Sequence, residues 1–189
     1  MRATLAGNRE LLATPGMRRL LLMQWLPAWF ATSAEALAVP YAKSIGHPAS
    51  AGSLLLAAGP SGMLLGNIAV GRLCPPAARV RLVLPLMTLV GAPLLAFAWR
   101  PPLAVAMVAL AVSGAGFAYS LGLQRAFADT VPQHLRGQGF GLASTGLMGG
   151  QGLLPSAFGG AATALGVGGA MALTGACAVA SALLARKAG

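Results

Sequence analysis

The residue best suited to chemistry in this chain is a carboxylate inside a long apolar segment. The chain has three Asp or Glu residues, and Glu35 is the one that falls within a predicted membrane span, residues 20–41. An ionisable group in that position costs roughly 2.5 kcal/mol or more to insert and by default marks a functional site. A helix that begins at Leu20 places Glu35 about 22 Å along the span and about 9 Å from its outer end. We predict that Glu35 binds a proton or a cationic group of a substrate; the alternative is a structural carboxylate at the outer mouth, near Lys43.

Neutral polar side chains recur along the predicted spans and could form hydrogen bonds in a cavity. An unpaired polar group in hydrocarbon costs several kcal/mol, so the helices that carry such groups should face one another, a partner or a wet cavity. The same side chains can also simply hold two helices together. The candidate cavity residues are Gln24, Asn67, Tyr119, Gln124 and Gln151.

Enzyme chemistry is not indicated. Residues 59–62 have the Gly-x-Ser-Gly form found around the nucleophile of rhomboid proteases, but such a serine needs a histidine base within reach. His47 and His134 fall in predicted loops on opposite sides of the membrane. Cys74 and Cys177 lack the spacing of a disulfide framework or a metal site. We predict no catalytic residue, no metal and no cofactor.

The elements that must position these residues are transmembrane helices. Of 189 residues, 57% are hydrophobic and 8% are charged, which leaves too few polar groups to cover a water-soluble globule. A spanning helix needs about 20 apolar residues, and six segments qualify. The sequence therefore predicts an all-α polytopic membrane protein, with spans near 20–41, 50–71, 80–99, 102–124, 137–160 and 165–185.

Positive charge assigns a side of the membrane to each loop. The 13 Lys and Arg residues are distributed unevenly between the two sides. Lys43 and Arg100 follow the first and third apolar segments, and the other 11, the richer set, lie near the chain ends or follow the second and fourth segments. Because loops rich in Lys and Arg stay cytoplasmic, both ends are predicted to lie inside. Residues 1–17 would be a cytoplasmic N-terminal segment, and residues 18–189 the six-helix domain. The richer set is Arg2, Arg9, Arg18, Arg19, Arg72, Arg79, Arg81, Arg125, Arg136, Arg186 and Lys187.

The net charge of +10 indicates a lipid partner and not a nucleic acid. Nucleic-acid binders cluster basic groups on one face with aromatic residues between them, whereas here the basic groups flank apolar segments. The expected partner is the anionic inner leaflet of a bilayer. The excess of Arg over Lys, together with abundant Ala, Gly and Leu, is typical of a GC-rich bacterial gene, so we predict a multi-pass protein of the bacterial inner membrane.

Prolines and glycines indicate how the helices pack. Pro60 and Pro155 each lie beside glycines inside a predicted span. If spans one to three and four to six form inverted repeats, these prolines kink corresponding helices, and matched kinks point to a transport pathway. Pairs of glycines four residues apart, which allow close approach of helices, occur at Gly62 and Gly66, at Gly137 and Gly141, and at Gly146 and Gly150.

The turn before the fifth span carries several charges. Arg125 and Asp129 lie four residues apart and could pair on a helix, with Arg136 nearby. Thr130 and Gln133 have the spacing of a capping box for the next helix. We predict that residues 129–135 turn the chain at the cytoplasmic surface.

These residues resemble the major facilitator superfamily of transporters. The segment from Asp129 to Gly141, an acidic-x-x-Pro stretch followed by Arg136-Gly137, is similar to the cytoplasmic turn between the fourth and fifth helices of the family's C-terminal half. Residues 66–72 resemble a degenerate form of the family's Gly-x-x-x-Asp-Arg loop motif, in which Arg72 is present and Gly71 stands in the acidic position. The resemblance covers residues 20–187.

The resemblance implies a fold and a function. Spans one, two, four and five of each half line a cavity in this family, and spans three and six support them from outside. The chain would be one six-helix half of a twelve-helix transporter, completed by a missing N-terminal half, a second subunit or a second copy in a homodimer. It would move a small-molecule solute by proton-coupled secondary transport or efflux, with Arg72, Arg125, Asp129 and Arg136 as gating or structural charges. The alternative is a non-transporting membrane assembly or regulatory subunit.

Overall fold

The structure, a computed structural model, describes residues 2–187, with side chains from Leu5 to Arg186. The side chains of Arg2 and Lys187, which count toward the predicted inside charge, lie outside that part. The described residues form helices and no strands. The helices are α1 (Arg2–Ala13), α2 (Met17–Ala36), α3 (Ala38–Ser44), α4 (Ala49–Leu73), α5 (Pro76–Gly91), a 3₁₀ helix (Ala92–Trp99), α6 (Leu103–Gly116), α7 (Tyr119–Thr130), a 3₁₀ turn (Gln133–Leu135) and α8 (Arg136–Lys187).

Four helical stretches in the described part of the chain are long and apolar enough to cross a membrane. They are Ala49–Leu73, Pro76–Trp99, Leu103–Thr130 and Gln133–Arg186. The predicted first span corresponds to α2 and α3 and is not among them; α2 carries Arg18 and Arg19 in its first turn and Glu35 in its last turn. The predicted fifth and sixth spans both fall within the last stretch, which is 54 residues long.

Prolines begin three of the helices. Pro48, Pro75 and Pro102 precede α4, α5 and α6 with extended backbones, at ψ angles of 159°, 157° and 160°. Proline lacks a backbone donor, so it costs nothing before a first turn whose amides are unpaired in any case. Pro75 and Pro102 therefore separate helices at the gaps that the six predicted spans leave before spans three and four. In contrast, α4 and α8 continue as helix through Pro60 and Pro155.

Helices α4 and α6 are held in close contact by glycines. A Cβ built on Gly62 would lie 2.8 Å from the Cα of Ala111, and one on Gly66 would lie 2.7 Å from the Cα of Ala115. From the other side, a Cβ on Gly114 would lie 2.9 Å from the carbonyl carbon of Gly59. Each glycine faces backbone, so the two helices lie nearer to each other than any side chain would allow.

Helix α8 is divided at Gly166 into two arms, α8a (136–165) and α8b (167–187). Gly166 has φ 73° and ψ 162°, a conformation that is open to glycine. The aromatic rings of Trp25 and Trp29 on α2 lie against Gly146 and Gly150 of α8a. The other arm packs on α5, where a Cβ on Gly175 would lie 2.7 Å from the carbonyl oxygen of Gly91.

Contacts far apart in sequence define two ends of the bundle. At one end, Glu10 contacts His134, and Arg19 contacts Ala185. At the other end, the buried Tyr41 hydroxyl donates to the carbonyl of Pro101, 2.6 Å away, and its ring packs edge-on against Phe97. The first end carries the basic loops, and the second carries the turns that contain Lys43 and Arg100.

Candidate functional site

Glu35 lies in the last turn of α2, where that helix contacts α4. Its side chain is half-buried. A Cβ built on Gly59 of α4 would lie 2.6 Å from Oε1 of Glu35, so the carboxylate occupies the space that a larger residue would fill. Within the described residues, Glu35 forms no hydrogen bond and no ion pair, so Lys43 is not its ionic partner. The site is a carboxylate against bare helix backbone, open to a proton or a cation.

Polar contacts continue along the same face of α2, one turn earlier. The side-chain amide of Gln151 on α8a donates to the hydroxyl of Thr32, 3.0 Å away. Gln151 was predicted to be a cavity residue, and the structure instead uses its amide to join α8a to α2. Because Thr32 and Glu35 are three residues apart on a helix, they lie on neighbouring positions of one face.

A second group of predicted residues lines a small cavity of about 60 Å³ between α2 and α7. Gln24 and Gln124 both line it, together with Ser120. Tyr119 does not reach into this space: it is 2% exposed, and its hydroxyl donates to the backbone carbonyl of Gln24, 3.2 Å away. The structure thus brings Gln24 and Gln124 together as potential hydrogen-bonding groups and makes Tyr119 a packing residue behind them.

Asn67 lies apart from both groups, on α4. Its Oδ1 atom is buried and has no hydrogen-bond partner among the described residues. An unsatisfied buried acceptor costs about 1–3 kcal/mol. Asn67 therefore remains a candidate for a contact with a ligand or a partner.

The predicted pair at the end of the fourth span is present. Nε of Arg125 lies 3.8 Å from Oδ2 of Asp129, with both side chains more than 70% exposed. Such an exposed pair contributes little to stability. Arg72 and Arg136 are exposed and form no ion pair within the described part of the chain. These charges do not form a gate network here.

The predicted capping box at Thr130 is wrong. Thr130 is the last residue of α7, and its hydroxyl donates back to the carbonyl of Ala126, 2.7 Å away. The new helix begins after Pro132, with the 3₁₀ turn of residues 133–135. A threonine hydroxyl can accept from an amide of the following helix or donate to a carbonyl of the preceding turn, and the Thr130 hydroxyl donates.

Sequence reasoning missed the side chains that fix the helices around these sites. The indole nitrogen of Trp25 donates to the carbonyl of Ala143 at 2.7 Å, and that of Trp29 donates to the carbonyls of Gly146 and Leu147 at 3.1 and 3.0 Å. The rings can reach these carbonyls because Gly146 and Gly150 on α8a leave room for them. The only available signal was the shared four-residue spacing of the tryptophans and the glycines.

Arg79 was counted as a loop charge, and the structure gives it a specific contact. Its guanidinium reaches back from α5 and donates to the carbonyls of Gly71 and Cys74, at 2.7 and 2.9 Å. A cation at the C-terminal end of α4 satisfies carbonyls that lack helical partners and complements the helix dipole. Arg79 thereby fixes the turn between α4 and α5.

The sequence matches no protein-family model, and no curated protein matches it.

Proposed function

We propose that the chain is one half of a major facilitator-type transporter that moves a small solute across the bacterial inner membrane, coupled to protons. The observation that carries this proposal is the carboxylate of Glu35, which lies against Gly59 without a partner in the described residues. An ionisable group in a membrane helix is costly unless it exchanges a proton or binds an ion. The carboxylate lies between α2 and α4, where a proton or a cation could replace the missing partner.

The passes of the chain between the two ends of the bundle support a six-span arrangement. The chain is at the basic end at Arg19, at the opposite end at Tyr41, and at the basic end again at Arg79. It then reaches the far end at Pro101 and comes back to Thr130, and α8 turns at Gly166 to end beside Arg19. With the basic end inside, this path has six spans and both ends in the cytoplasm.

A partner half is supported by one face of α8a. Within the described residues, the helical glycines whose Cβ position is empty all lie on this arm, whereas those of α4 and α6 face atoms of neighbouring helices. Ser144 and Thr145 are exposed on the same arm. Small residues promote helix association in membranes because they allow close approach. The open glycines are Gly137, Gly141, Gly149, Gly152, Gly159 and Gly160.

The proposal is tested by flux in vesicles. The full chain is reconstituted at a density that allows two copies to associate as the two halves, and an imposed pH gradient drives ethidium, a lipophilic cation, as the probe solute. We expect gradient-driven ethidium movement that Glu35→Gln reduces at least tenfold, because the amide cannot exchange a proton. Glu10→Gln is the matched control, since it removes a carboxylate that is 55% exposed and contacts His134.

Two outcomes would contradict the proposal. If Glu35→Gln and wild type moved ethidium equally well under the same gradient, Glu35 would not couple transport. If the wild-type chain moved no probe even when reconstituted together with a membrane protein that co-purified with it, a non-transporting assembly or regulatory subunit would be favoured.

A further inference from the structure

Arg19 is an uncompensated cation at the basic end of the bundle. The described residues contain two ion pairs, and neither includes Arg19. One guanidinium nitrogen, Nη2, donates to the carbonyl of Ala185, 2.9 Å away, at the end of α8b. The Nε atom is buried and has no hydrogen-bond partner among the residues that the structure describes. An unsatisfied buried donor in a native protein calls for a bound water, ion or ligand.

The space beside Arg19 is apolar. A groove of about 320 Å³ runs between α2 and α8b and is lined by Leu22, Leu26, Leu184 and Ala185 below the guanidinium. This volume lies within the range of roughly 300–1,000 Å³ that is typical of small-molecule sites. Arg19 also lines a second apolar cavity of about 420 Å³ on its other side, against α5 and α7. A ligand that satisfies this site must combine an anionic group with apolar chains.

The surroundings select a lipid over a soluble anion. Leu22 and Leu184 are 47% and 67% exposed on the outside of the bundle, so the groove opens toward the region that hydrocarbon would occupy. Arg18 and Arg186 are exposed at the same end and add positive charge. Basic pockets between membrane helices on the cytoplasmic side bind anionic lipid headgroups, and a guanidinium matches phosphate geometry.

We propose that this groove binds an anionic phospholipid of the inner leaflet, with its phosphate at Arg19 and an acyl chain along Leu22, Leu26 and Leu184. The site requires the membrane placement given under the proposed function, but it does not require transport. Lipid binding by the purified chain and ethidium flux can therefore fail independently.

The test measures lipid binding to the purified full chain by native mass spectrometry. Phosphatidylglycerol is titrated against phosphatidylcholine with the same acyl chains. We expect one phosphatidylglycerol to bind more tightly than phosphatidylcholine, and Arg19→Gln to weaken that binding about tenfold through loss of a charge-assisted contact. Arg81→Gln, which removes an equal charge from an exposed position on α5, should leave it unchanged.

A second variant tests the groove without changing charge. Ala185→Phe keeps the backbone carbonyl that accepts from Arg19 and fills the space below it, so lipid binding should again fall about tenfold. Ala69→Phe adds the same bulk at an exposed position on α4 and should have no effect. Arg19→Lys, which keeps the charge, should retain part of the preference for phosphatidylglycerol.

Several results would overturn the proposal. Equal losses in Arg19→Gln and Arg81→Gln would show a nonspecific attraction to negative charge. Full binding in Ala185→Phe would show that no acyl chain lies in the groove. Displacement of phosphatidylglycerol by inorganic phosphate would indicate a soluble-anion site, and a dimer that Ala185→Phe dissolves would indicate that a second copy fills the groove.

Discussion

One added methyl group at the contact between α4 and α6 should force the two helices apart. In Gly62→Ala, the new Cβ would lie 2.6 Å from the carbonyl carbon and 2.8 Å from the Cα of Ala111. Non-bonded carbon atoms are most favourable at about 3.5–4.0 Å, so the two helices must separate by about 1 Å. Overpacking of this kind costs about 1–3 kcal/mol. Because the obstructing atoms are backbone, no rotamer change can relieve the contact.

The matched control is Gly149→Ala on α8a, where a Cβ meets no atom within 4 Å. Alanine there should stabilise the helix by about 0.5–1 kcal/mol relative to glycine. The same gain applies to Gly62→Ala, so the two variants should differ by the overpacking cost alone, about 1–3 kcal/mol. At roughly 2–4 °C per kcal/mol for a chain of this size, Gly62→Ala should melt about 2–12 °C below Gly149→Ala.

The assay is thermal unfolding of the purified chain in detergent, followed by tryptophan fluorescence. Trp25 and Trp29 are suitable reporters because they are stacked, with ring centroids 5.8 Å apart, and donate to backbone carbonyls of α8a. Equal melting temperatures for the two variants would refute the reasoning, since the bundle would then not depend on glycine at the α4–α6 contact.

Two further substitutions test the end of the bundle opposite the basic loops. Tyr41→Phe removes a fully buried hydroxyl that donates to the carbonyl of Pro101, which should cost about 0.5–1.5 kcal/mol; an unchanged melting temperature would mean that the hydrogen bond contributes nothing net. Gly166→Ala forces a side chain into a backbone conformation with φ 73° and ψ 162°, which should cost about 1–3 kcal/mol. Its melting temperature should fall below that of Gly149→Ala, and the reverse order would show that the turn tolerates a Cβ.

The sequence predicted the features of the fold that depend on neighbouring residues. The breaks before α5 and α6 follow from Pro75 and Pro102, whose lack of a backbone donor acts at once on the adjacent turn. The pair of Arg125 and Asp129 follows from helical spacing alone. The break in α8 was harder to place. The predicted fifth and sixth spans leave a gap at residues 161–164, whereas the helix turns at the single residue Gly166.

Features that depend on distant residues could not be predicted. Three glycine pairs had the same spacing, yet the structure packs Gly62 against the backbone of α6, places Trp29 on Gly150, and leaves Gly141 in open space. Spacing specifies which residues share a helix face, and tertiary packing alone decides what that face meets. The hydrogen bond of Tyr119 to the backbone of α2 was hidden for the same reason, since its partner carries no sequence signal.

The candidate site likewise has one part that the sequence predicts and another that only the structure shows. Glu35 was identified from its charge alone, because a carboxylate in an apolar segment is exceptional wherever the helix packs. Only the structure shows its contact with Gly59, and this contact gives the glycine a second role. Gly59 would be expected only to bring α4 near another helix, whereas it also makes the room that holds the carboxylate.

Two features of the bundle, the Glu35 carboxylate and the open glycines of α8a, could both be accounted for by a second half. In the described part of the chain, Glu35 lies without a partner beside α4, and Thr32, one turn earlier on α2, is joined by Gln151 to α8a, the arm that carries the open glycines. In water, an exposed glycine face would need no explanation, but in hydrocarbon it forgoes the close helix contacts that small residues make possible. A second half packed on α8a would cover the glycines and bring its own surface toward the α2 face that bears Thr32 and Glu35. The carboxylate would then line a space between two halves, which is where a solute and a proton can be bound together.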